Sequence, residues 1–406
     1  MPARKPVPVS GYVKPGFEGV RQAFIENWSR YGEVGAALCV YYKGERAIDL
    51  WGGLRNRATG EPWEEDTMVL VFSTTKGMAG LAMALLHSRG RLDYEERVSN
   101  YWPEFAQQDK ERVTVRQLLS HQAGLYTLDE PIDGSIVADL DRLAEVLARQ
   151  RPAWEPGTCQ AYHAVTLGFY ESELLRRLDP QHRSLGRFFH EEIASPLDLD
   201  FYIGLPETIP NSRLATIVQT RASLAGLNLQ MLPQIAAALN PRSPLRRSLL
   251  GSSSPSTLFD RERVYVRNVE VPAGSGVGTA RSLARAYSVF ATGGHELGVR
   301  QETLAALMAP AVPPLRGFHD ECVLTDWQLS LGFQKPNAAI PFGRPGAFGA
   351  PGWGGSFAFA DPEVELGYAY VMNRMNAGQG YEPREEALRS ALYSVLGHPA
   401  GPPAAK

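Results

Sequence analysis

The chain is 406 residues long and carries strand-like sequence near both ends, with helical patterns between them. Near the N-terminus, Ala36–Tyr42 and Arg46–Trp51 are apolar runs joined by a short turn with a central glycine, which predicts a hairpin. Near the C-terminus, Ser356–Ala360 and Leu366–Met372 flank an Asp-Pro turn and predict two antiparallel strands. We expect the strands from both ends to pair in one sheet, because a sheet must bury an apolar face against other elements.

This arrangement predicts an α/β (α+β) fold, in which an antiparallel sheet is flanked by helices and interrupted by a mostly helical second domain. We place the discontinuous sheet domain at 1–90 and 265–406, and the helical domain at 91–264. Residues 207–263 differ in composition and form either a lid over a pocket or a packed insertion. Helical periodicity is found at Gly16–Tyr31, Thr74–Arg89, Val115–His121, Leu140–Gln150, Ala164–Leu178, Leu185–Ile193 and Glu382–Leu396.

Charge, cysteine and histidine usage exclude several classes of function. The net charge is −3, with 41 basic and 44 acidic residues, whereas nucleic-acid binding needs a basic surface. The three cysteines are far apart and form no C-x-x-C, so neither a disulfide framework nor a zinc site is predicted. The eight histidines include no i, i+4 pair and no H-E-x-x-H, and no other motif calls for a metal or a cofactor. The G-x-S-x-G of α/β-hydrolases is also absent from the sequence.

The location and partners of the chain are predicted from its apolar segments. The first thirteen residues are proline-rich without an apolar run, so we expect no signal peptide. The uncharged segment Ala222–Pro241 contains Asn228, Gln230 and Gln234 and is a poor candidate for a membrane span. We therefore expect a cytoplasmic protein that acts on a small molecule and binds neither a membrane nor nucleic acid. The oligomeric state stays open.

The segment Val71–Gly77 holds the strongest candidate chemistry. Ser73 lies where a strand gives way to a helix, and a helix N-terminus offers free N–H groups and a positive dipole end. Lys76 follows one turn later on the same helix face, in the only S-x-x-K of the chain. A lysine in apolar surroundings can stay neutral and take the proton of a serine nucleophile. Alternatively, Ser73 only caps the helix.

Two further segments carry candidate site residues. Tyr162 follows a Pro-Gly turn and precedes a helix; beside a lysine ammonium its phenol would become more acidic and could share proton transfer. Alternatively, it is a packing residue. The segment Gly349–Ser356 is glycine-rich at the start of a strand, where a backbone N–H could face an oxyanion. Its alternative is a tight turn or a bulge.

Taken in order, these three segments resemble the serine β-lactamase-like superfamily, which includes class C β-lactamases, DD-peptidases and family VIII carboxylesterases. The resemblance covers roughly residues 15–395, and the chain is most like the family VIII carboxylesterases. Further segments that fit this pattern are Gly52-Gly53-Leu54, Asp66–Lys76, Leu118–Leu125 and Gly274–Thr279.

The resemblance implies a role for each matching residue. Ser73 corresponds to the acylated nucleophile and Lys76 to the proton acceptor beside it. Tyr162 corresponds to the tyrosine that works with this lysine and passes a proton to the leaving group. Trp353-Gly354-Gly355 matches the W-G-G that stands in place of the K-T-G of the lactamases. The oxyanion hole would use the N–H of Ser73 and one from Gly355–Ser356, with Ser356 favoured.

Two departures from the lactamase pattern bear on the substrate. Ala164 stands where the Y-x-N motif has asparagine, and Trp353 stands where K-T-G has lysine. In the lactamases that lysine helps to bind the substrate carboxylate. Replacing an ammonium with an indole removes a charge-assisted hydrogen bond, so the site should suit neutral, apolar groups.

The sequence therefore predicts a serine carboxylesterase for short to medium acyl chains that works through an acylated Ser73, with weak β-lactam hydrolysis as an additional expectation. Acyl transfer or amide hydrolysis at the same site is the first alternative, and β-lactamase or DD-peptidase activity is the second. A third is a non-catalytic binding protein with the same fold. Tyr126, Trp154 and Trp353 are candidates to line a cleft between the two domains.

Overall fold

The computed structural model describes residues 7–219, 232–250, 257–338, 340–376 and 382–398. The helices are α1 Glu18–Arg30, α2 Thr75–Ser88, α3 Val98–Tyr101, α4 Val115–Leu119, α5 Gly134–Ala138, α6 Leu140–Arg149, α7 Thr166–Leu178, α8 Leu185–Phe189, α9 Leu232–Leu239, α10 Pro244–Leu250, α11 Ala280–Ala291, α12 Gln301–Met308 and α13 Pro383–Val395. Within the ranges described, no helix has the length and apolar character needed to cross a membrane.

Fourteen strands accompany these helices. They are β1 Val9–Val13, β2 Gly35–Tyr42, β3 Glu45–Asn56, β4 Glu61–Pro62, β5 Val69–Leu70, β6 Phe201–Ile203, β7 Phe259–Asp260, β8 Val264–Tyr265, β9 Gly276–Gly278, β10 Leu329–Ser330, β11 Phe333–Gln334, β12 Phe348–Pro351, β13 Phe357–Asp361 and β14 Leu366–Met372.

The main sheet joins the two ends of the chain, as the sequence predicts. Its nine antiparallel strands run in the order β1-β3-β2-β14-β13-β12-β11-β10, with β4 beside β3. The central pairing is between β2 and β14, where Val40 lies opposite Tyr368. The predicted hairpin is present, and Lys43 and Gly44 in its turn have positive φ angles of 53° and 77°, which suit the right-handed twist of the strands.

Helices cover both faces of this sheet. On one face, α1 and α13 pack together through Phe24, Trp28 and Leu388. On the other face, α11 contacts β2, β13 and β14, and α2 contacts β12. This arrangement confirms the predicted fold class of an antiparallel sheet between helices. It also gives α2 an inner position, and all fourteen of its residues are buried.

Short strands bring the start of α2 against the rest of the molecule. β5, which leads into α2, pairs with β9, and β9 pairs with β6 in a second, three-stranded sheet. Helix α11 follows β9, and its first turn is capped by the Thr279 hydroxyl, which accepts from the N–H of Ser282. The strands β10, β11 and β12 were absent from the sequence prediction, because runs of two to four residues carry too little alternation to be recognised.

The segment 207–263 is folded where it is described. It contains α9, α10 and the two-stranded β7–β8 sheet, and α9 packs against α10. Residues 220–231 and 251–256, which include the first half of the uncharged segment Ala222–Pro241, lie outside the described residues. The division of the chain into domains at 90 and 265 stays a prediction.

Candidate active site

Ser73 lies in a 3₁₀ turn, Phe72–Thr74, between β5 and α2. The preceding Phe72 has a φ of 48°, which is unusual for a bulky residue and marks a strained backbone at the start of the helix. Thr75 holds this turn, because its hydroxyl donates to the Phe72 carbonyl and accepts from the N–H of Gly276 at 2.9 Å. The N-cap of α2 is Thr74, and no side chain caps that helix, so Ser73 is not a capping residue.

The side chain of Ser73 faces Lys76 instead. Lys76 Nζ donates to Ser73 Oγ at 3.3 Å, to the Ala164 carbonyl at 2.6 Å and to the Ala273 carbonyl at 2.9 Å. Lys76 is only 3% exposed. Burial lowers its pKa to about 7, and the negative charge available on Glu171 opposes that shift. A large share of Lys76 is therefore neutral at physiological pH.

The three partners of Lys76 fix the direction of its lone pair. A neutral amine keeps two N–H bonds, and the carbonyls of Ala164 and Ala273 accept both of them at the shorter distances. The remaining tetrahedral position of the nitrogen points toward Ser73 Oγ. The neutral form thus presents its basic electron pair to the serine hydroxyl, which is the geometry that proton removal requires.

Tyr162 completes this group, since its ring centroid lies 4.8 Å from Lys76 Nζ. Burial raises the pKa of Tyr162, and the interaction of its phenol with Ser73 only partly opposes this rise. The expectation that a neighbouring ammonium makes this phenol more acidic was wrong in its net effect, because desolvation of the phenolate dominates. Tyr162 is consequently a protonated acid in the resting site.

Aromatic rings support Tyr162 from several sides. Trp327 stacks on it at 4.8 Å between ring centroids, and the His121 ring lies at 5.1 Å. Tyr126 and Trp154 stack on each other at 5.6 Å and belong to the apolar cluster that packs against Tyr162. Tyr126 is 4% exposed, so it lies behind the Tyr162 loop rather than at an open surface.

A pair of buried histidines holds the same loop without adding charge. His121 Nδ1 accepts from the N–H of His163, and His163 Nε2 accepts from the N–H of Leu125. Burial lowers the pKa of both rings, to about 4 for His163. Both are therefore neutral near Lys76. Within the described ranges, no three His, Cys, Asp or Glu side chains are grouped so that they could hold a metal ion.

The predicted glycine-rich segment forms a turn that requires glycine. Gly354 and Gly355 have φ angles of 89° and 125°. A Cβ on Gly355 would lie 2.6 Å from a carboxylate oxygen of Glu382, and one on Gly354 would lie 2.4 Å from the sulfur of Met375. Arg384 donates to the Gly354 carbonyl at 3.2 Å and is itself paired with Glu382. The turn is thus held by a buried ion pair from the start of α13.

Ser356 ties this turn to the segment that carries Ser73. Its hydroxyl donates to the Val71 carbonyl at 2.8 Å and lies 3.1 Å from the hydroxyl of Thr74. Among the described residues, no backbone carbonyl of a turn, a loop or another segment accepts a hydrogen bond from the N–H of Ser73 or of Ser356. Two unengaged N–H groups on segments that contact each other are suited to hold a developing oxyanion.

Trp353 lies at the surface beside this turn, and 51% of it is exposed. Its ring is 6.0 Å from that of Phe72, which in turn is 6.3 Å from Phe259. Phe259 is also 36% exposed. These three rings form an aromatic surface next to Ser73, where the lactamase pattern would place a charged lysine.

Sequence reasoning did not identify several residues that surround these groups. Trp327 and Asp320 come from a segment without a recognisable motif, and Ser248 comes from α10. Glu171 lies in α7, fully buried, and neither carboxyl oxygen has a hydrogen-bond partner among the described residues. Burial raises its pKa to about 8. The sequence signal that could have identified Glu171 is an acidic residue among the apolar residues on the buried face of α7.

Comparison with known proteins gives the same family over most of the chain. The sequence model of the beta-lactamase family matches residues 20–393. The Esterase/beta-lactamase LipL of Mycobacterium tuberculosis is 34% identical over 376 residues, covering 90% of this chain and 83% of LipL. A family VIII carboxylesterase of known structure is 34% identical, with a TM-score of 0.83 over 96% of this chain and 100% of its own. A penicillin-binding protein homolog from Caulobacter crescentus is 32% identical, with a TM-score of 0.82 over 96% and 100%. The chain belongs to the beta-lactamase family.

Proposed function

We propose that this protein is a serine carboxylesterase that forms an acyl-enzyme on Ser73. The observation that carries the proposal is the 3.3 Å contact between Ser73 Oγ and Lys76 Nζ in a buried site where the amine has a pKa of about 7. Two of the similar proteins, LipL and the family VIII carboxylesterase, are named as esterases. The nucleophile, base and acid of an acyl-transfer site are present together.

Acylation begins with transfer of the Ser73 proton to the neutral amine of Lys76. Ser73 Oγ then forms a bond to the ester carbonyl carbon, and the carbonyl oxygen becomes an oxyanion. The N–H groups of Ser73 and Ser356 donate to this oxygen. The carbonyls of Ala164 and Ala273, which already accept from Lys76, stabilise the ammonium that has formed.

Collapse of the tetrahedral intermediate breaks the bond to the alcohol. The leaving oxygen takes the proton of the Tyr162 hydroxyl, which lies against Ser73. The Lys76 ammonium, 4.8 Å from the Tyr162 ring centroid, returns a proton to the phenolate, so both groups regain their starting states. In deacylation a water attacks the acyl carbonyl and its proton moves to Lys76. Collapse of the intermediate breaks the bond to Ser73 Oγ, which takes this proton from Lys76, so the neutral amine and the free serine are restored.

The aromatic surface of Phe72, Trp353 and Phe259 indicates the class of ester. It lies next to Ser73, and its exposed rings are those of Trp353 and Phe259, which pack on the buried ring of Phe72. Burial of an apolar acyl or alcohol group on such a surface is favourable, whereas an anionic group would gain no charge-assisted hydrogen bond there. Neutral esters of short to medium acids are the proposed substrates.

The test is hydrolysis of p-nitrophenyl esters from acetate to octanoate, read together with the intact mass of the protein. Wild-type protein should turn over these esters, and a fluorophosphonate probe should add its mass at Ser73. Ser73→Ala should abolish both turnover and labelling without unfolding the protein. Thr59→Ala, an exposed hydroxyl on the β3–β4 turn, is the control that should keep both. Labelling of another residue, or turnover by Ser73→Ala, would refute the proposal.

β-Lactam hydrolysis is a second candidate activity at the same site. LipL carries both esterase and β-lactamase in its name. With Trp353 in place of a lysine, the anionic carboxylate of a cephalosporin is held less well, so slow turnover of nitrocefin is expected beside rapid ester hydrolysis. Nitrocefin turnover faster than that of every neutral ester would reverse this order. Acyl transfer is separated from hydrolysis by adding alcohols or amines and identifying the products.

We also propose that the enzyme is cytoplasmic. Cys39, Cys159 and Cys322 are all buried free thiols. Unpaired thiols are typical of proteins from reducing compartments. Fractionation of the source cells, with immunodetection of this chain, tests the proposal.

A further inference from the structure

The backbone that carries Tyr162 is fixed by a hydroxyl from the segment 207–263. Ser248 lies on α10 and is 1% exposed. Its Oγ donates to the Tyr162 carbonyl at 2.7 Å and accepts from the N–H of Ala164 at 3.0 Å. One side chain therefore bridges two peptide groups on either side of His163, in the position where the loop turns into α7.

The same bridge reaches the base. The Ala164 carbonyl is the acceptor of the shortest hydrogen bond from Lys76 Nζ, at 2.6 Å. Ser248 holds the N–H of this residue, so it restrains the residue that orients Lys76 as well as the one that supplies the acid. The N–H of Tyr162 donates to Asp320 Oδ1 at 3.1 Å. Asp320 therefore holds the peptide before Tyr162, and Ser248 holds the peptide after it.

The helix that presents Ser248 is itself tied to the body of the protein. The Arg247 carbonyl accepts from the Thr127 hydroxyl at 3.2 Å, and the Arg247 guanidinium pairs with Asp129 at 2.8 Å. At the start of α10, the Ser243 hydroxyl accepts from the N–H of Arg246 at 3.2 Å. These contacts anchor α10, which carries Ser248, to the body of the protein.

We infer that Ser248 is a positioning residue for catalysis, which holds Tyr162 where its hydroxyl can protonate the leaving alcohol. The inference rests on the proposed esterase function and extends it to a segment remote in sequence from the catalytic residues. Without the Ser248 hydroxyl, the Tyr162 carbonyl and the Ala164 N–H are left buried and unpaired, and the loop must shift to satisfy them. Such a shift displaces the acid relative to Ser73.

The dependence of rate on the leaving group distinguishes this role from general support of the fold. An ethoxide leaving group needs a proton as the bond to carbon breaks, whereas p-nitrophenoxide leaves without one. Misplacement of Tyr162 should therefore slow ethyl butyrate far more than p-nitrophenyl butyrate. Because both esters give the same butyryl-enzyme, kcat/KM for each isolates the acylation step.

The experiment compares wild type, Ser248→Ala, Ser248→Thr and Tyr162→Phe on these two esters. Ser248→Ala should lose about 10²-fold in kcat/KM on ethyl butyrate, the cost of misplacing a catalytic group by an ångström, and far less on p-nitrophenyl butyrate. Ser248→Thr keeps the hydroxyl and should recover most of the loss. Tyr162→Phe should show the same selectivity more strongly. Ser243→Ala is the matched control, because it weakens the start of the same helix without touching the Tyr162 loop.

The possible results separate the positioning role of Ser248 from the proposed esterase function. Equal losses on the two esters with Ser248→Ala, or no loss at all, would overturn the positioning role while leaving the esterase proposal intact. A selective loss shared by Ser243→Ala would overturn it too, since general weakening of α10 would then suffice. If the wild-type protein hydrolyses neither ester, the proposed esterase function is refuted, and with it the positioning role that rests on it. Thermal melts of every variant report folding, and Ser248→Thr keeps the test valid if Ser248→Ala melts early.

Discussion

The acidity of Lys76 makes a quantitative prediction about the pH dependence of catalysis. An exposed lysine has a pKa near 10.4, so roughly four in ten thousand are neutral at pH 7. Burial brings the pKa of Lys76 to about 7, so about half is neutral at that pH. The concentration of active base rises by about 10³-fold, which corresponds to a difference of roughly 4 to 5 kcal/mol in the free energy of deprotonation.

The sign of the pH dependence follows from which form is active. The neutral amine is the base, so kcat/KM for p-nitrophenyl butyrate should rise tenfold per pH unit below about 7 and level off above it. The neighbouring histidines do not titrate in this range, because the pKa of His163 is about 4 and that of His121 is held well below its usual value. Tyr162 does not limit the plateau, since burial raises its pKa.

The assay is kcat/KM from pH 5 to 9.5 in buffers of constant ionic strength, with folding followed by circular dichroism at each pH. Lys335→Met is the control, because Lys335 is a second buried lysine whose pKa is lowered to about 7, and its removal should leave the acidic limb in place. A flat profile across pH 7 in folded enzyme, or a limb lost with Lys335→Met, would refute the assignment of Lys76 as the base.

Three other substitutions test separate parts of the site. Gly355→Ala should reduce kcat by about 10²-fold, because a Cβ at this positive φ would collide with Glu382 and displace the N–H of Ser356. Steady-state kinetics measure the loss, and an unchanged circular dichroism spectrum shows that the variant is folded. Trp353→Lys should raise kcat/KM for the anionic p-nitrophenyl hemisuccinate relative to neutral p-nitrophenyl butyrate, and an unchanged ratio would separate Trp353 from substrate selection. Lys76→Met should raise the free energy of unfolding most below pH 7 and less toward pH 10. A buried lysine whose pKa is lowered destabilises the fold at every pH where the unfolded chain binds the proton more tightly than the folded chain does. Chemical denaturation at pH 6 and pH 9.5 measures the difference.

The sequence predicted those parts of the site that lie close together in the chain. Ser73 and Lys76 are one helical turn apart, so their proximity follows from local geometry alone. Tyr162 was identified by its order relative to them, through resemblance to a family. Ser248, Asp320 and Trp327 could not be predicted, because their contacts with the Tyr162 loop depend on how distant segments fold against one another. A single serine in an uncharacteristic segment carries no periodicity or spacing that points to such a contact.

The direction in which the pKa of Tyr162 is shifted beside Lys76 also could not be predicted from the sequence. The family resemblance places the amine of Lys76 near the phenol of Tyr162, and an ammonium in that position would lower the pKa of the phenol. The structure shows that both groups are buried, so each disfavours its own charged form: the pKa of Lys76 falls and that of Tyr162 rises. The two shifts act together, since a neutral lysine no longer stabilises a phenolate. The resting site consequently pairs an amine that is largely uncharged at pH 7 with an uncharged phenol.

Burial of a lysine does not by itself make a catalytic base in this protein. Lys110 and Lys335 are as well buried as Lys76, and burial lowers their pKa values to about 8 and about 7. Lys110 donates to three backbone carbonyls and Lys335 to two, so all of their assigned hydrogen bonds stabilise loops and helix ends. Within the described residues, Lys76 differs from them in donating to a hydroxyl, that of Ser73, from two carbonyl anchors that leave its third direction open. A lowered pKa is thus shared by three lysines, and the contact with Ser73 on the preceding turn is what makes Lys76 the one proposed as the catalytic base.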